Sequence, residues 1–253
     1  MNKPSFKETV RHTTITLDDV GLEFNVDPIF ADSFSKLRKA DYGEGFRMAT
    51  APELSLLLSA CFENKKNNSA KKIIEDMGEA LYENILGDTG VYFLKKGIFF
   101  QDHPNIKNYK IHMTKRDLFD KLGSHEEGGV IFSDDGSIRY VPERKLEGQY
   151  HTLFHCLLQT NEELAQNPEI IGLVGGIENA EKLSQTQNNL QPNYIFSTHN
   201  LEYSLQREGY DQEKTPHTST SNFKSGYGCL ITEIKSDFDL GHAYGVKEIG
   251  GKK

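Results

Sequence analysis

Hydrophobic and polar positions divide the chain into segments of different period. From Thr13 to Val26 apolar residues alternate around Asp18–Gly21, which predicts one or two short strands joined by a turn. Pro28 then opens IFADSFSKLRKADYG, a pattern that predicts a helix stopped by Gly43 and Gly45. The clearest helix comes next. Thr50 is a good N-cap, Pro52 sits in the first turn and Glu53 completes a capping box. Leu54, Leu57, Leu58 and Cys61 continue at helical spacing. The polar ENKKNNSAKK reads as a loop or frayed helix, and Ile73–Leu86 as an amphipathic helix ended by Gly87.

The texture then changes. VYFLKKGIFFQD is two apolar runs around Lys95–Gly97, a hairpin signal, and Thr114–Leu122 predicts a short helix capped by Thr114. GGVIFSDDGSIRYVP predicts a hairpin, with Asp135–Gly136 suited to a type I′ turn. Thr160–Gln166 reads as a short helix ended before Pro168. IIGLVGG fits a buried strand or a helix start, Ile177–Gln187 a helix and NYIFST a strand. From His199 to Gly228 periodicity is weak and Tyr, Ser, Thr, Asn, His and Gly dominate. CLITEI and HAYGV then read as closing strands. There is no internal repeat, so 1–253 is expected to form a single elaborated α+β domain.

Composition narrows the function classes. An apolar fraction of 36%, with 15 Phe and 11 Tyr but no Trp, suffices for a core. A net charge of -8 argues against nucleic-acid backbone binding, which needs a basic surface. Three scattered cysteines do not form a secreted disulfide framework. No apolar run has the roughly 20 residues needed to span a bilayer, and the polar N-terminus has no apolar signal region. The expected setting is intracellular or particle-associated, with no membrane insertion.

Candidate chemistry is sparse. Neither a dinucleotide-binding glycine fingerprint nor a P-loop is present, and Gly175–Gly176 reads as a tight turn in preference to an anion site. His151 and His155 share one helical face if that segment is helical, but the Glu of the H-E-x-x-H motif is missing. Asp134 and Asp135 fit a turn better than a calcium loop. Asp102–His103 resembles part of a catalytic triad, but with no nucleophile elbow to complete it a loop pair fits better. No cofactor is implied. The stretch from His199 to Gly228 is different. Tyr supplies contact area at low entropic cost, and Ser, Asn and Gly supply adaptable hydrogen bonds, the palette of binding loops. About thirty residues is long for a plain connection in a compact domain.

GFRMATAPEL at Gly45–Leu54 resembles the G-[WYF]-R-[LM]-P-T-x-x-E-[WL] signature of C-type lectin-fold proteins. Those include formylglycine-generating-enzyme-like domains and the variable proteins of diversity-generating retroelements. GHAYGV at Gly241–Val246 resembles the last strand of that fold. LAQNPEIIGLVGGIENAEKL and the Tyr/Ser/Asn-rich segment are similar to archaeal-type variable proteins. The resemblance implies that the motif opens a helix, with Arg47 and Glu53 tying it to the sheet, and Thr50 is its cap. Ala49 stands where the signature has proline, and the copper-binding cysteine pair has no counterpart, so oxidase chemistry is not carried over. The resemblance implies a non-catalytic binding protein with a C-type lectin-like fold plus an N-terminal elaboration, its expected ligand a protein or other macromolecule. The candidate variable region is 199–245, with contacts at Tyr203, Tyr210, His217, Ser219, Ser221, Asn222, Phe223 and Tyr227. The alternatives are a metal-dependent hydrolase using His151 and His155, or a structural subunit of a viral particle.

Overall fold

The computed structural model describes residues 5–8, 13–79, 84–94, 97–107, 110–111, 115–142, 161–187, 217–226, 229–235 and 241–250. In chain order the first half contains β1 (Ser5–Glu8), β2 (Thr13–Leu17), β3 (Leu22–Asn25), β4 (Ile29–Ala31), α1 (Phe34–Leu37), β5 (Arg47–Met48), α2 (Ala51–Glu63), α3 (Asn68–Glu79), β6 (Asn84–Leu94) and β7 (Gly97–Asp102). It continues with β8 (Ile106–Lys107), β9 (Lys110–Ile111), α4 (Lys115–Phe119), β10 (Leu122–Glu127), β11 (Val130–Ser133) and β12 (Ile138–Pro142). The last part holds α5 (Asn161–Ala165), α6 (Pro168–Val174), α7 (Ile177–Gln187), β13 (His217–Gly226), β14 (Cys229–Lys235), β15 (Gly241–Ala243) and β16 (Gly245–Glu248).

These strands build two main sheets. One runs β1-β2-β3-β16-β5. The other runs β10-β11-β12-β7-β6-β13-β14, with β15 joining β6 in parallel and β4 antiparallel. The last strands therefore insert among the first: β16 pairs with both β3 and β5. Among the described residues no helix is long and apolar enough to cross a membrane.

The core lies between helices and the larger sheet. Leu54, Leu57, Leu58 and Cys61 of α2 are fully buried, as their spacing requires, in a cluster with Val91, Ile98, Phe100 and Val141 of the sheet and Ile170, Ile171 and Leu183 of α6 and α7. Burial without a charged neighbour pushes the Cys61 thiol up to about 12. Tyr92, Phe99, Ile138 and Tyr140 fill a second cluster with Leu118 of α4. Because neighbours along a strand face opposite ways, the alternation of Phe99 and Phe100 between the clusters shows the sheet covered on both sides. Gly97 opens β7 at φ +145°, and a Cβ there would lie 2.1 Å from the Val141 carbonyl oxygen, so β12 approaches closely only because this residue is glycine.

Several local expectations are corrected. Ile29–Ala31 is a strand, held by β15, and only Phe34–Leu37 of the predicted helix forms, with Ser33 as its N-cap. The pairing partner lies near the other end of the chain, where local spacing cannot register it. Helix α3 begins earlier and ends at Glu79, and Ile85 and Leu86 belong to β6, opposite Phe223 and Asn222. The predicted Thr114–Leu122 helix spans only Lys115–Phe119, because Leu122 opens β10 opposite Ser133. The Asp135–Gly136 hairpin is present, but Gly136 alone of its turn has positive φ, so the turn is not type I′. IIGLVGG resolves as helix α6 ending at Gly175. The weakly periodic stretch from His199 to Gly228 contains β13, so it is not one long loop, while CLITEI forms β14 as its apolar run predicts. NYIFST lies outside the described residues.

Candidate functional site

The motif at Arg47, Thr50 and Glu53 joins strand to helix. Arg47 lies on β5, and its guanidinium grips Glu53 with two hydrogen bonds, Nη1 to Oε2 at 2.8 Å and Nη2 to Oε1 at 2.7 Å. Glu53 Oε2 also accepts from the Thr50 amide at 2.8 Å and the Thr50 hydroxyl at 2.9 Å, while Thr50 caps α2. Burial alone raises the Glu53 carboxyl, but the Arg47 and Thr50 hydrogen bonds outweigh it and hold the group below its ordinary value.

A second anchor lies on the larger sheet. Strand β13 pairs with β6 from His217 opposite Phe93 to Thr220 opposite Gly90, then jumps so that Ser221 faces Gly87. Asp88 and Thr89 form the resulting bulge, a device that re-aims side chains. Thr89 Oγ1 donates to Asp102 Oδ1 at 2.6 Å and accepts the Ala51 amide at 2.9 Å, so the bulge holds the start of α2. Arg139, only 1% exposed, binds both oxygens of Asp102 at 2.6 and 2.8 Å. Asp88 pairs with Arg38 Nε at 2.6 Å and with His103 Nδ1 at 2.8 Å. His103, at φ +50°, is the single non-glycine residue with positive φ among those described. The sequence pairing of Asp102 with His103 is thus replaced: Asp102 serves Arg139, and the histidine turns to Asp88. No local signal marks these partners, which come from elements far apart in sequence.

The candidate contact residues divide in two. His217, Ser219, Ser221, Asn222 and Phe223 lie on β13, between β6 and β14, with Ser219 opposite Val91 and Ser221 next to the bulge. Tyr203, Tyr210 and Tyr227 lie outside the described residues, as do His151 and His155. The structure therefore places five of the eight on one continuous strand anchored on both sides.

Two other sequence features resolve as turns. Gly175 is the left-handed C-cap of α6, and the amides of Gly175 and Gly176 both donate to the Ile171 carbonyl, which occupies them. Glu127 Oε1 accepts the Ile177 amide at 3.3 Å, placing a carboxylate at the start of α7. Asp135 accepts from the Ser133 hydroxyl and from the amide and hydroxyl of Ser137, which lower its carboxyl to about 2. Among the described residues no three His, Cys, Asp or Glu side chains gather to hold a metal.

No family model matches the chain, and none of the curated proteins matches it. A solved structure, described as the accommodation of massive sequence variation in Nanoarchaeota by the C-type lectin fold, is similar to it at a TM-score of 0.51 and 13% identity, covering 95% of this chain and 100% of that one. At that identity the likeness concerns architecture, and the architecture of this chain is the C-type lectin fold.

Proposed function

We propose that this protein is a non-catalytic binder that presents a replaceable surface, built around β13 and the Tyr/Ser/Asn-rich residues flanking it, to a protein or other macromolecular ligand. The observation that carries the proposal is the position of β13. Its sequence, HTSTSNFKSG, is polar, yet it occupies the sheet between β6 and β14, so its backbone is supported by ladder hydrogen bonds on both sides. The contacts that lock α2 to the sheets come from Arg47, Thr50, Glu53, Thr89, Asp102 and Arg139. A scaffold of this kind separates the residues that fold from the residues that recognise. Affinity then comes from aromatic anchors ringed by polar contacts. The likeness to a fold that accommodates massive sequence variation in Nanoarchaeota supports the same reading, as does the resemblance to retroelement variable proteins.

The test is a display library randomised at Tyr203, Tyr210, His217, Ser219, Ser221, Asn222, Phe223 and Tyr227 and selected on immobilised hen lysozyme. Folded clones that bind lysozyme, with the parent failing to bind, support the proposal. A library whose members do not fold, or fold without yielding binders, counts against it.

A further inference from the structure

A recess of about 420 Å³ opens where β7 ends. The end of that strand and the residues after it supply Gln101, His103 and Asn105, and α4 with its following turn supplies Asp117, Asp120 and Lys121. Gln101 is 7% exposed, and the fully buried Tyr92 donates its hydroxyl to Gln101 Oε1 at 2.6 Å. A buried hydroxyl hydrogen needs an acceptor, so this bond fixes which end of the amide points inward. Gln101 Nε2 is then the outward end. It keeps accessible surface yet has no hydrogen-bond partner among the described residues, so its N–H groups open onto the recess.

His103 is held beside it against its backbone preference. At φ +50° it lies in the left-handed region, where a non-glycine residue persists only if its surroundings hold it, a condition that clusters at ligand sites. Asp88 supplies both restraints. Its carbonyl accepts the His103 amide at 2.9 Å, and its carboxylate accepts from Nδ1 at 2.8 Å. An ionised carboxylate only accepts, so Nδ1 carries a hydrogen and Nε2 is the acceptor of the neutral ring. Arg38 pairs with the same carboxylate at 2.6 Å and keeps it in place. The imidazole is 42% exposed, which leaves its Nε2 edge for a ligand.

We propose that this recess binds a free α-amino acid with a polar side chain. The ligand carboxylate accepts from Gln101 Nε2 and Lys121 Nζ, and its ammonium donates to His103 Nε2 and the carboxylates of Asp117 and Asp120. The described lining has no apolar side chain, so it favours a polar ligand. Two aspartates oppose a dianion such as a phosphate ester, and Lys121 opposes a simple cation, which leaves a zwitterion. The site does not depend on the reading of β13 as a binding surface.

Isothermal titration calorimetry of the full chain with L-serine, L-asparagine and L-glutamine tests the site. At least one should saturate with a Kd of about 1 mM or tighter. The N-acetyl and α-amide derivatives of that amino acid each lack one charge and should bind about tenfold or more weakly. His103→Gly removes the imidazole but accepts the positive φ without strain, so it should weaken binding about tenfold while circular dichroism stays that of the parent. Lys121 is exposed, so Lys121→Gln tests the site even if the glycine variant unfolds. It should weaken the amino acid about tenfold and leave the α-amide derivative, which lacks the carboxylate, nearly unchanged. No saturable binding of any of the three, derivatives that bind as tightly as the amino acid, or unchanged affinity in either folded variant overturns the proposal.

Discussion

Arg47 and Glu53 meet through two hydrogen bonds of 2.8 and 2.7 Å, and the same carboxylate receives both the amide and the hydroxyl of Thr50. Strand β5 and helix α2 are thereby joined by one charged cluster at the helix N-terminus, where a carboxylate also favours the helix dipole. Thr50→Ala removes the cap and one hydrogen bond to Glu53. It should cost about 1 kcal/mol, the usual size of a lost N-cap. Chemical denaturation measures it, and an unchanged midpoint contradicts the role given to the cap.

The same carboxylate makes a pH prediction. Glu53 lies below its ordinary value in the folded chain, so its contribution is fully present above the unfolded value of about 4.3 and is lost as pH falls through the folded value. Melting temperatures of the parent and Glu53→Gln should therefore differ most near neutrality and converge on acidification below about pH 4. A difference that is independent of pH counts against the ion pair as the source.

Arg139 and Asp102 form the most deeply buried ion pair among the described residues, with 1% and 13% side-chain exposure. Removing one partner of such a pair leaves the other charge uncompensated, so Arg139→Met should cost about 3–5 kcal/mol. Adding Asp102→Asn should restore part of that loss, giving a coupling of about 1 kcal/mol or more in a double-mutant cycle. Additive losses contradict the pairing.

Glu169, on α6, moves in the opposite direction from Glu53. Burial raises its carboxyl to about 7. An acid whose folded value exceeds the unfolded one loses stability as pH rises, beginning near the unfolded value of about 4.3 and ending near 7. Relative to Glu169→Gln, the parent should therefore lose melting temperature between about pH 4 and pH 7 and then level off. A parent that gains on Glu169→Gln over that range contradicts the burial of a neutral acid.

How much of the fold is legible in the sequence depends on the range of the interactions. The capping box at Thr50 and Glu53 acts within one turn, and the β6–β7 and β11–β12 hairpins act across a few residues, so each is readable from spacing. Ile29–Ala31 reads as helix because its strand partner is near the other end of the chain, and Ile85–Leu86 does so because β13 supplies theirs. The tail has a composition without a period. Its chemistry indicates contact, but only the pairing of β13 with β6 and β14 places His217, Ser219, Ser221, Asn222 and Phe223 on a strand. The Asp88–His103 and Asp102–Arg139 pairs are hidden because adjacent residues in sequence, Asp102 and His103, serve different partners.

A replaceable binding surface requires that the frame fold independently of the side chains it presents. The direct measurement is the unfolding free energy of a variant with Tyr210, His217, Ser219, Ser221 and Asn222 all replaced by alanine. The expected result is a single cooperative transition within about 1 kcal/mol of the parent, as for surface positions. A loss of about 3 kcal/mol or more, or no cooperative transition, would assign these residues to the core and contradict the separation of frame from surface.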